Sequence, residues 1–295
     1  MTIHLSAPSK TFLSGEYAVL CGAPGLVLNT GPRFTFTATE KGAGVVGIPD
    51  GSPAALLIHE NQALLKNWKL EFRDPHAGRG GFGASSGQLL FVFALVQFLR
   101  ASVREALSGL DLKVLMETFH RLTGGQASGC DILAQATGQV SLVIPQAMQA
   151  AAQPWPYPNL NFAILRTGVK IQTHEHLAQL ERDSLESLNG PAGACAESFG
   201  RATVEQFIGA LRTYAWQLRS MGLQAPTSLQ ILEKVEAQPW CQLAKGCGAL
   251  GADTVLVFFA AQDTSVALEY LRGQSWECVA TTADLTSGLQ MTWNS

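Results

Sequence analysis

The stretch Gly81-Phe82-Gly83-Ala84-Ser85-Ser86-Gly87-Gln88 runs directly into Leu89-Leu90-Phe91-Val92-Phe93-Ala94-Leu95-Val96. Glycines and two hydroxyls therefore stand immediately before one of the most apolar segments of the chain. A glycine-rich turn that enters a helix presents unpaired N–H groups and the positive end of the helix dipole, which together hold an anion. Ser85 and Ser86 then fall at the N-cap or in the first turn, where a hydroxyl caps the helix, touches phosphate or helps to hold a magnesium ion. The apolar run is the helix body, expected over 86–105, and its burial keeps the turn rigid. An ordinary capped core helix fits the same residues. The stretch is not a Walker A loop, because no Gly-Lys-Ser/Thr follows, and no clear βαβ unit surrounds it to make a dinucleotide fingerprint.

Composition limits what such a turn can serve. The 295 residues are 47% hydrophobic and 15% charged, as in a globular protein of one large or two medium domains. A net charge of -3 offers no general attraction to nucleic acid or anionic lipid, so a bound anion must be held by local geometry. The apolar run is interrupted by Gln97 and ends at Arg100, too short to span a bilayer, and Met1–Leu5 lacks the features of a signal peptide. A cytoplasmic protein without a nucleic-acid or membrane partner, monomeric or homodimeric, is expected. The six cysteines include no C-x-x-C pair and read as buried thiols.

Pro154, Pro156 and Pro158 disfavour both helix and central strand and divide the chain into 1–153 and 154–295. In the first part, 34–40 and 140–145 read as strands and 112–122 as a helix. In the second, strands are expected at 161–166, 254–260 and 277–282. Helices are expected at about 174–188, 198–221, 227–237 and 264–272, the last with Asp263 as N-cap and Gly273 as terminator. Strands with helices stacked on one face make an α+β sandwich.

Three further stretches carry candidate chemistry. Residues 7–28 place Lys10 among apolar and small residues, either at a sheet edge facing water or buried with a partner, and follow it with Gly15-Glu16-Tyr17. Residues 124–138 set Asp131 after a glycine-rich turn and before a helix, as a first-turn charge or as a carboxylate aimed into a cleft. Residues 244–259 form a second glycine-rich loop, between a helix and a buried strand. Gly246, Gly248 and Gly251 are more glycines than one turn requires.

Taken in order, these blocks resemble those of the GHMP kinases, named for galactokinase, homoserine kinase, mevalonate kinase and phosphomevalonate kinase. Pro8, Lys10, Gly15, Glu16 and Tyr17 match the first motif of that family. Gly81, Phe82, Gly83, Ala84 and Ser85 match the second, and Lys245, Gly248, Ala249 and Gly251 the third. The chain departs from the pattern at Ser9, Ala84, Leu250 and Ala252.

The resemblance implies an N-terminal domain like domain 2 of ribosomal protein S5, a C-terminal ferredoxin-like domain and an active site between them. It implies ATP and Mg2+ as cofactors, with phosphates against Gly81, Gly83, Ala84, Ser85 and Ser86, lined also by Gly248, Ala249 and Gly251. Ser85 is the implied magnesium ligand. Asp131, in Ser128-Gly129-Cys130-Asp131, and Lys10 are the implied catalytic pair, which suits phosphoryl transfer: alignment, charge neutralisation and a carboxylate to take the hydroxyl proton. Glu16, Tyr17, Ser128, Gly129 and Lys170 are the implied substrate contacts.

Residues 119–131 and Gly15–Val19 resemble the phosphomevalonate kinase branch, whereas the short length and residues 167–177 resemble mevalonate kinase. A phosphorylated substrate needs further cations, for which Arg79, Arg166 and Lys170 are candidates. Residues 50–70, with Asn61 and Trp68, are the positional expectation for an adenine pocket. A small-molecule kinase of the mevalonate pathway, acting on phosphomevalonate, is expected. The alternatives are a mevalonate kinase and a non-catalytic nucleotide- or metabolite-binding relative.

Overall fold

Alternation in Phe34-Thr35-Phe36-Thr37-Ala38-Thr39 predicts a strand with one buried face, and Phe34, Phe36 and Ala38 are indeed buried. The structure, a computed structural model, describes residues 1–101, 110–125, 127–168, 182–248, 254–274 and 276–294. In the first part, β1 (Thr2–Ser14), β2 (Gly25–Glu40) and β3 (Gly44–Val46) precede α1 (Pro53–Glu60), α2 (Gln62–Leu65) and β4 (Trp68–Arg73). Then come α3 (Ala84–Arg100), α4 (Leu112–Thr123), α5 (Cys130–Thr137), β5 (Val140–Ile144) and β6 (Gln149–Gln153). The second part holds β7 (Leu160–Arg166), α6 (Arg182–Leu185), α7 (Asn189–Ser198), α8 (Val204–Ser220) and α9 (Pro226–Glu236). It ends with β8 (Cys241–Cys247), β9 (Thr254–Ala260), α10 (Thr264–Gly273), β10 (Glu277–Thr281) and β11 (Gln290–Asn294).

The first sheet runs β11-β1-β2-β4-β3, with β5 and then β6 attached to β2. The long β2 pairs antiparallel with β1 on one side and, on the other, with β5 over Gly25–Leu28 and with β4 over Thr35–Glu40. The N-terminal half of β2 is buried throughout, because it is covered on both faces. Helix α3 lies in the core, with every residue from Ser86 to Val96 buried, as its all-round apolar sequence demands. Phe91 stacks on Phe36 at 5.7 Å and meets Phe72 at 6.1 Å. Each such buried side chain contributes roughly 1.5–3 kcal/mol, so the turn at the start of α3 rests on a strong support.

The second sheet, β10-β7-β9-β8, is antiparallel. Its strands β7 and β9 are apolar on both faces, and each face has its own cover. Ala163, Leu165, Val255, Val257 and Phe259 pack with Ile231, Leu232 and Val235 of α9 and Ala267 and Leu271 of α10. Phe162, Ile164, Leu256 and Phe258 join the main core with Phe207, Leu211 and Tyr214 of α8. Helices therefore cover two faces of this sheet, not the single face expected.

The proline-rich connection is fixed in place. The Trp155 Nε1–H points at the carbonyls of Tyr157 and Leu160, 3.0 and 2.8 Å away, and its ring meets Phe162, Phe199, Phe207 and Phe258. The division at 153/154 separates β6 from β7, but the last strand crosses back: β11 pairs with β1 from Thr2↔Asn294 to Ser6↔Gln290. The segment 154–295 thus does not stay with the second sheet to its end. Arg33 secures the return, donating to the carbonyls of Ser287 and Gly288 at 2.6 and 2.7 Å.

Other boundaries shift for local reasons. The helix expected over 198–221 starts later, at Val204, because α7 ends at Ser198, Gly200 takes φ 70 and a capping box of Thr203 and Gln206 opens α8. Asp263 precedes α10, but its side chain makes no capping bond; a 3₁₀ turn, Ala261–Asp263, leads into the helix instead. Residues 241–247 form β8, so the third glycine-rich block, expected between a helix and a strand, belongs to a strand-to-strand connection. Of the helix expected over 174–188, residues 174–181 lie outside the described residues.

Candidate active site

The turn before α3 is held from three sides. Gly81 and Gly83 take φ 86 and 93, which a side chain would oppose, and Gly83 is the N-cap of α3. A Cβ on Gly83 would stand 2.9 Å from Lys10 Cγ and 3.0 Å from Gln135 Nε2, so the backbone of the turn lies directly against the first motif. The Lys10 N–H donates to the Phe82 carbonyl at 3.0 Å. Gln135 of α5 donates to the Pro8 carbonyl at 2.8 Å, and the Ser86 hydroxyl lies 2.6 Å from Gln135 Oε1. These contacts join α3, α5 and β1 at one point.

The two serines part company there. Ser85 is exposed at the helix start, with the N–H groups of the first turn that no preceding carbonyl of the helix can satisfy. Ser86, expected to touch phosphate, is buried, and its hydroxyl lies against Gln135 and the Gly83 carbonyl. Its role is to hold α3 to α5.

Lys10 is the buried alternative, not the sheet-edge one. Its Nζ stands 3.1 Å from Asp131 Oδ2 and 5.3 Å from the centre of the Phe12 ring. The two partners differ in access: the Lys10 side chain is 11% exposed and that of Asp131 38%. The carboxylate can therefore meet a solvent-borne molecule while the ammonium orients it from behind. Asp131 sits in the first turn of α5, whose N-cap Gly129 takes φ 69; a Cβ there would lie 2.3 Å from Met116 Cε. Ser128, half-buried, accepts the Cys130 N–H at 3.3 Å.

Glu16, expected to face substrate, is buried and forms an ion pair with Lys245 of β8, itself fully enclosed. The Tyr214 hydroxyl donates to the Glu16 carbonyl, and Lys245 Nζ lies 5.9 Å from the Tyr214 ring. Burial disfavours the Lys245 charge, but Cys247 and Glu16 beside it favour that charge, and the balance raises its pKa. Tyr17 is also buried, with φ 66. The pair thus bolts the first motif to the third across the two sheets. Gly248 takes φ 89, whereas Ala249, Gly251 and Lys170 lie outside the described residues.

Arg79 and Arg166 do not stand as two independent anion anchors. Both approach Glu277 Oε2, at 3.1 and 2.6 Å, and buried Arg166 also reaches His76 Nδ1 at 2.8 Å. Asn61 is likewise committed, accepting from Arg100 at 2.7 Å and donating to the Leu57 carbonyl at 2.8 Å. Trp68 is buried and lines a small cavity of about 150 Å³ with Val45, Ile58 and Leu65. A larger cavity of about 340 Å³, between α8 and β8, includes none of the glycine-loop or Lys10–Asp131 residues.

Sequence reasoning missed the role of Lys245 and all of His76. Lys245 carried the same signal as Lys10, a lysine among small and apolar residues in a strand. His76 follows Asp74-Pro75 just before the glycine run, a turn signal that says nothing of burial.

Scanning the sequence against protein-family models and curated proteins gives no match. Solved structures do match. Streptococcus pneumoniae phosphomevalonate kinase in complex with phosphomevalonate and AMPPNP is similar at 17% identity and TM-score 0.73, over 94% of this chain and 98% of that one. Methanococcus jannaschii mevalonate kinase is similar at 14% and 0.72, over 96% and 98%. Lactococcus lactis galactokinase complexed with galactose is similar at 12% and 0.75, over 98% and 95%. These neighbours are GHMP kinases, and the chain has their two-domain α+β fold.

Proposed function

We propose that this chain is an ATP- and Mg2+-dependent kinase of the mevalonate pathway that phosphorylates phosphomevalonate. The observation that carries the reading is the Lys10–Asp131 pair at 3.1 Å, set against a glycine turn that opens a buried helix. A half-exposed carboxylate beside a buried cation suits a group that accepts the proton of an acceptor hydroxyl. As that oxygen bonds to the γ-phosphorus of ATP, the bond to the β–γ bridging oxygen breaks, the proton passes to Asp131 and ADP leaves. Lys10 orients the carboxylate and offsets negative charge near the transferring group.

The residues present fit phosphate and its metal. The start of α3 offers first-turn N–H groups behind the Gly83 N-cap, and exposed Ser85 offers a hydroxyl. Among the described residues no cluster of three His, Cys, Asp or Glu side chains could hold a metal. That suits magnesium bound mainly by phosphate oxygens and water. When bound, the ion would neutralise charge on the phosphates.

The acceptor rests on the resemblance of Gly15–Val19 and 119–131 to the phosphomevalonate branch and on the likeness in fold to the Streptococcus enzyme. Mevalonate is the second reading, favoured by the engagement of Arg79 and Arg166 with Glu277, which leaves neither as a ready anchor for a substrate phosphate.

The test is ADP release with Mg-ATP and mevalonate, phosphomevalonate, homoserine or galactose in parallel. Turnover with phosphomevalonate and not the others is expected, and Asp131→Asn should lower kcat by about 100-fold or more while ATP affinity is retained. Silence with all four acceptors despite ATP binding would favour a non-catalytic binding protein.

A further inference from the structure

The turn from Gly80 to Gly83 has one side chain, that of Phe82. Beside the Lys10 N–H bond to the Phe82 carbonyl, its position therefore depends on what the Phe82 ring rests against. The His76 ring stacks on it, with centroids 4.1 Å apart and planes 14° from parallel, and the Arg166 guanidinium lies 5.1 Å from its centre. His76 is 2% exposed and also meets Phe34 edge-on at 5.6 Å.

Two hydrogen bonds fix the histidine ring, and a third, from Ser9, orders their protons. A guanidinium only donates, so Nδ1, 2.8 Å from Arg166 Nη2, must accept and carries no proton. The ring proton is then on Nε2 and points at Ser9 Oγ, 2.7 Å away. The Ser9 hydroxyl in turn donates to the Pro32 carbonyl at 2.6 Å. Both ring nitrogens and the Ser9 hydroxyl find partners in this one arrangement, and a cationic ring would turn an N–H toward Arg166. Burial first, and then the charge of Arg166, lower the His76 pKa to about 4, against the weaker pull of Asp74 and Glu277; Arg79 adds to the lowering. The backbone around His76 is held as well: Asp74 accepts the N–H groups of His76 and Gly78 at 2.8 and 2.9 Å.

We infer that His76 is a positioning residue for nucleotide phosphate: as the neutral Nε2–H tautomer it links Ser9 of β1 to Arg166 of β7 and sets the glycine turn through Phe82. The link spans the two sheets, so the turn is registered against both parts of the fold at once. This rests on the kinase reading for its functional meaning, though not for the mechanics of the turn.

The test compares wild type with His76→Phe, which keeps an aromatic ring but no acceptor for Arg166, and His76→Asn, whose amide oxygen can stand near Nδ1. In the full chain one measures thermal midpoint, Mg-AMPPNP affinity, kcat and KM for ATP, and amide exchange over residues 79–88. His76→Phe should speed exchange across the turn about tenfold. It should also raise Kd and KM about tenfold, with kcat changed by no more than about threefold. His76→Asn should recover part of that affinity.

The inference is overturned if folded His76→Phe keeps exchange and affinity within about twofold of wild type, if exchange rises while affinity holds, or if kcat falls with KM unchanged. If His76→Phe does not fold, Ser9→Ala, which removes the Nε2 partner together with its bond to the Pro32 carbonyl, must show the same direction in exchange and KM. Should the wild type bind no AMPPNP, the kinase reading fails, and exchange in the turn still decides whether His76 positions it.

Discussion

Removing the cation of the Glu16–Lys245 pair by Lys245→Met should be among the most damaging single substitutions in the chain. Lys245 is 1% exposed and Glu16 5%, so neither charge gains much from water. One carboxylate oxygen of Glu16 faces the ammonium, and the other has no hydrogen-bond partner among the described residues. Deleting Lys245 leaves a buried carboxylate without its counter-ion, which costs about 3–5 kcal/mol. For a chain of this length each kcal/mol moves Tm by about 2–3 °C, so a fall of about 6–15 °C is expected. Glu16→Gln in the same background removes the stranded charge and should return the protein to within about 1–2 kcal/mol of wild type. Calorimetry and urea unfolding of the single and double variants make the measurement. A single variant within about 1 kcal/mol of wild type, or a double variant no more stable than the single one, would refute the claim that the pair is a desolvated bolt between sheets.

Two further outcomes follow from the buried titratable groups. The folded state holds His76 near pKa 4, below its ordinary 6.5, so it binds fewer protons than the unfolded chain between those values. Its contribution is complete above pH 6.5 and is lost as pH falls to about 4, a loss of about 3 kcal/mol that urea unfolding against pH should show in wild type and not in His76→Asn. The six cysteines form no disulfide, and Cys130, Cys195 and Cys247 are buried, with thiol pKa values pushed up by burial, to about 12 for Cys195 and about 11 for Cys247. A thiol reagent at pH 8 should therefore label at most Cys21, Cys241 and Cys278 before unfolding, and mass spectrometry that finds Cys130 modified in the native protein would contradict the packing.

What the sequence determined by itself was local. The apolar run behind Gly83 had to be a buried helix, the Phe-Thr alternation in β2 had to be a strand with one wet face, and the short apolar runs of β7 and β9 had to be strands. The order of three glycine-rich blocks pointed to a fold that the structure has. These signals survive in sequence because they depend on periodicity and on backbone freedom, which neighbours along the chain set.

Tertiary structure alone decided which distant segments meet. Lys10 could face water or a partner until α5 brought Asp131 to 3.1 Å. Glu16 and Lys245 are 229 residues apart, and nothing near either one names the other. His76 becomes a connector only because Ser9, Arg166 and Phe82 arrive around it from three different segments, and β11 joins the first sheet because β1 offers it an open edge. A buried charge or a neutral histidine is tolerable only beside its partner, so the partner, supplied by the fold, decides the role.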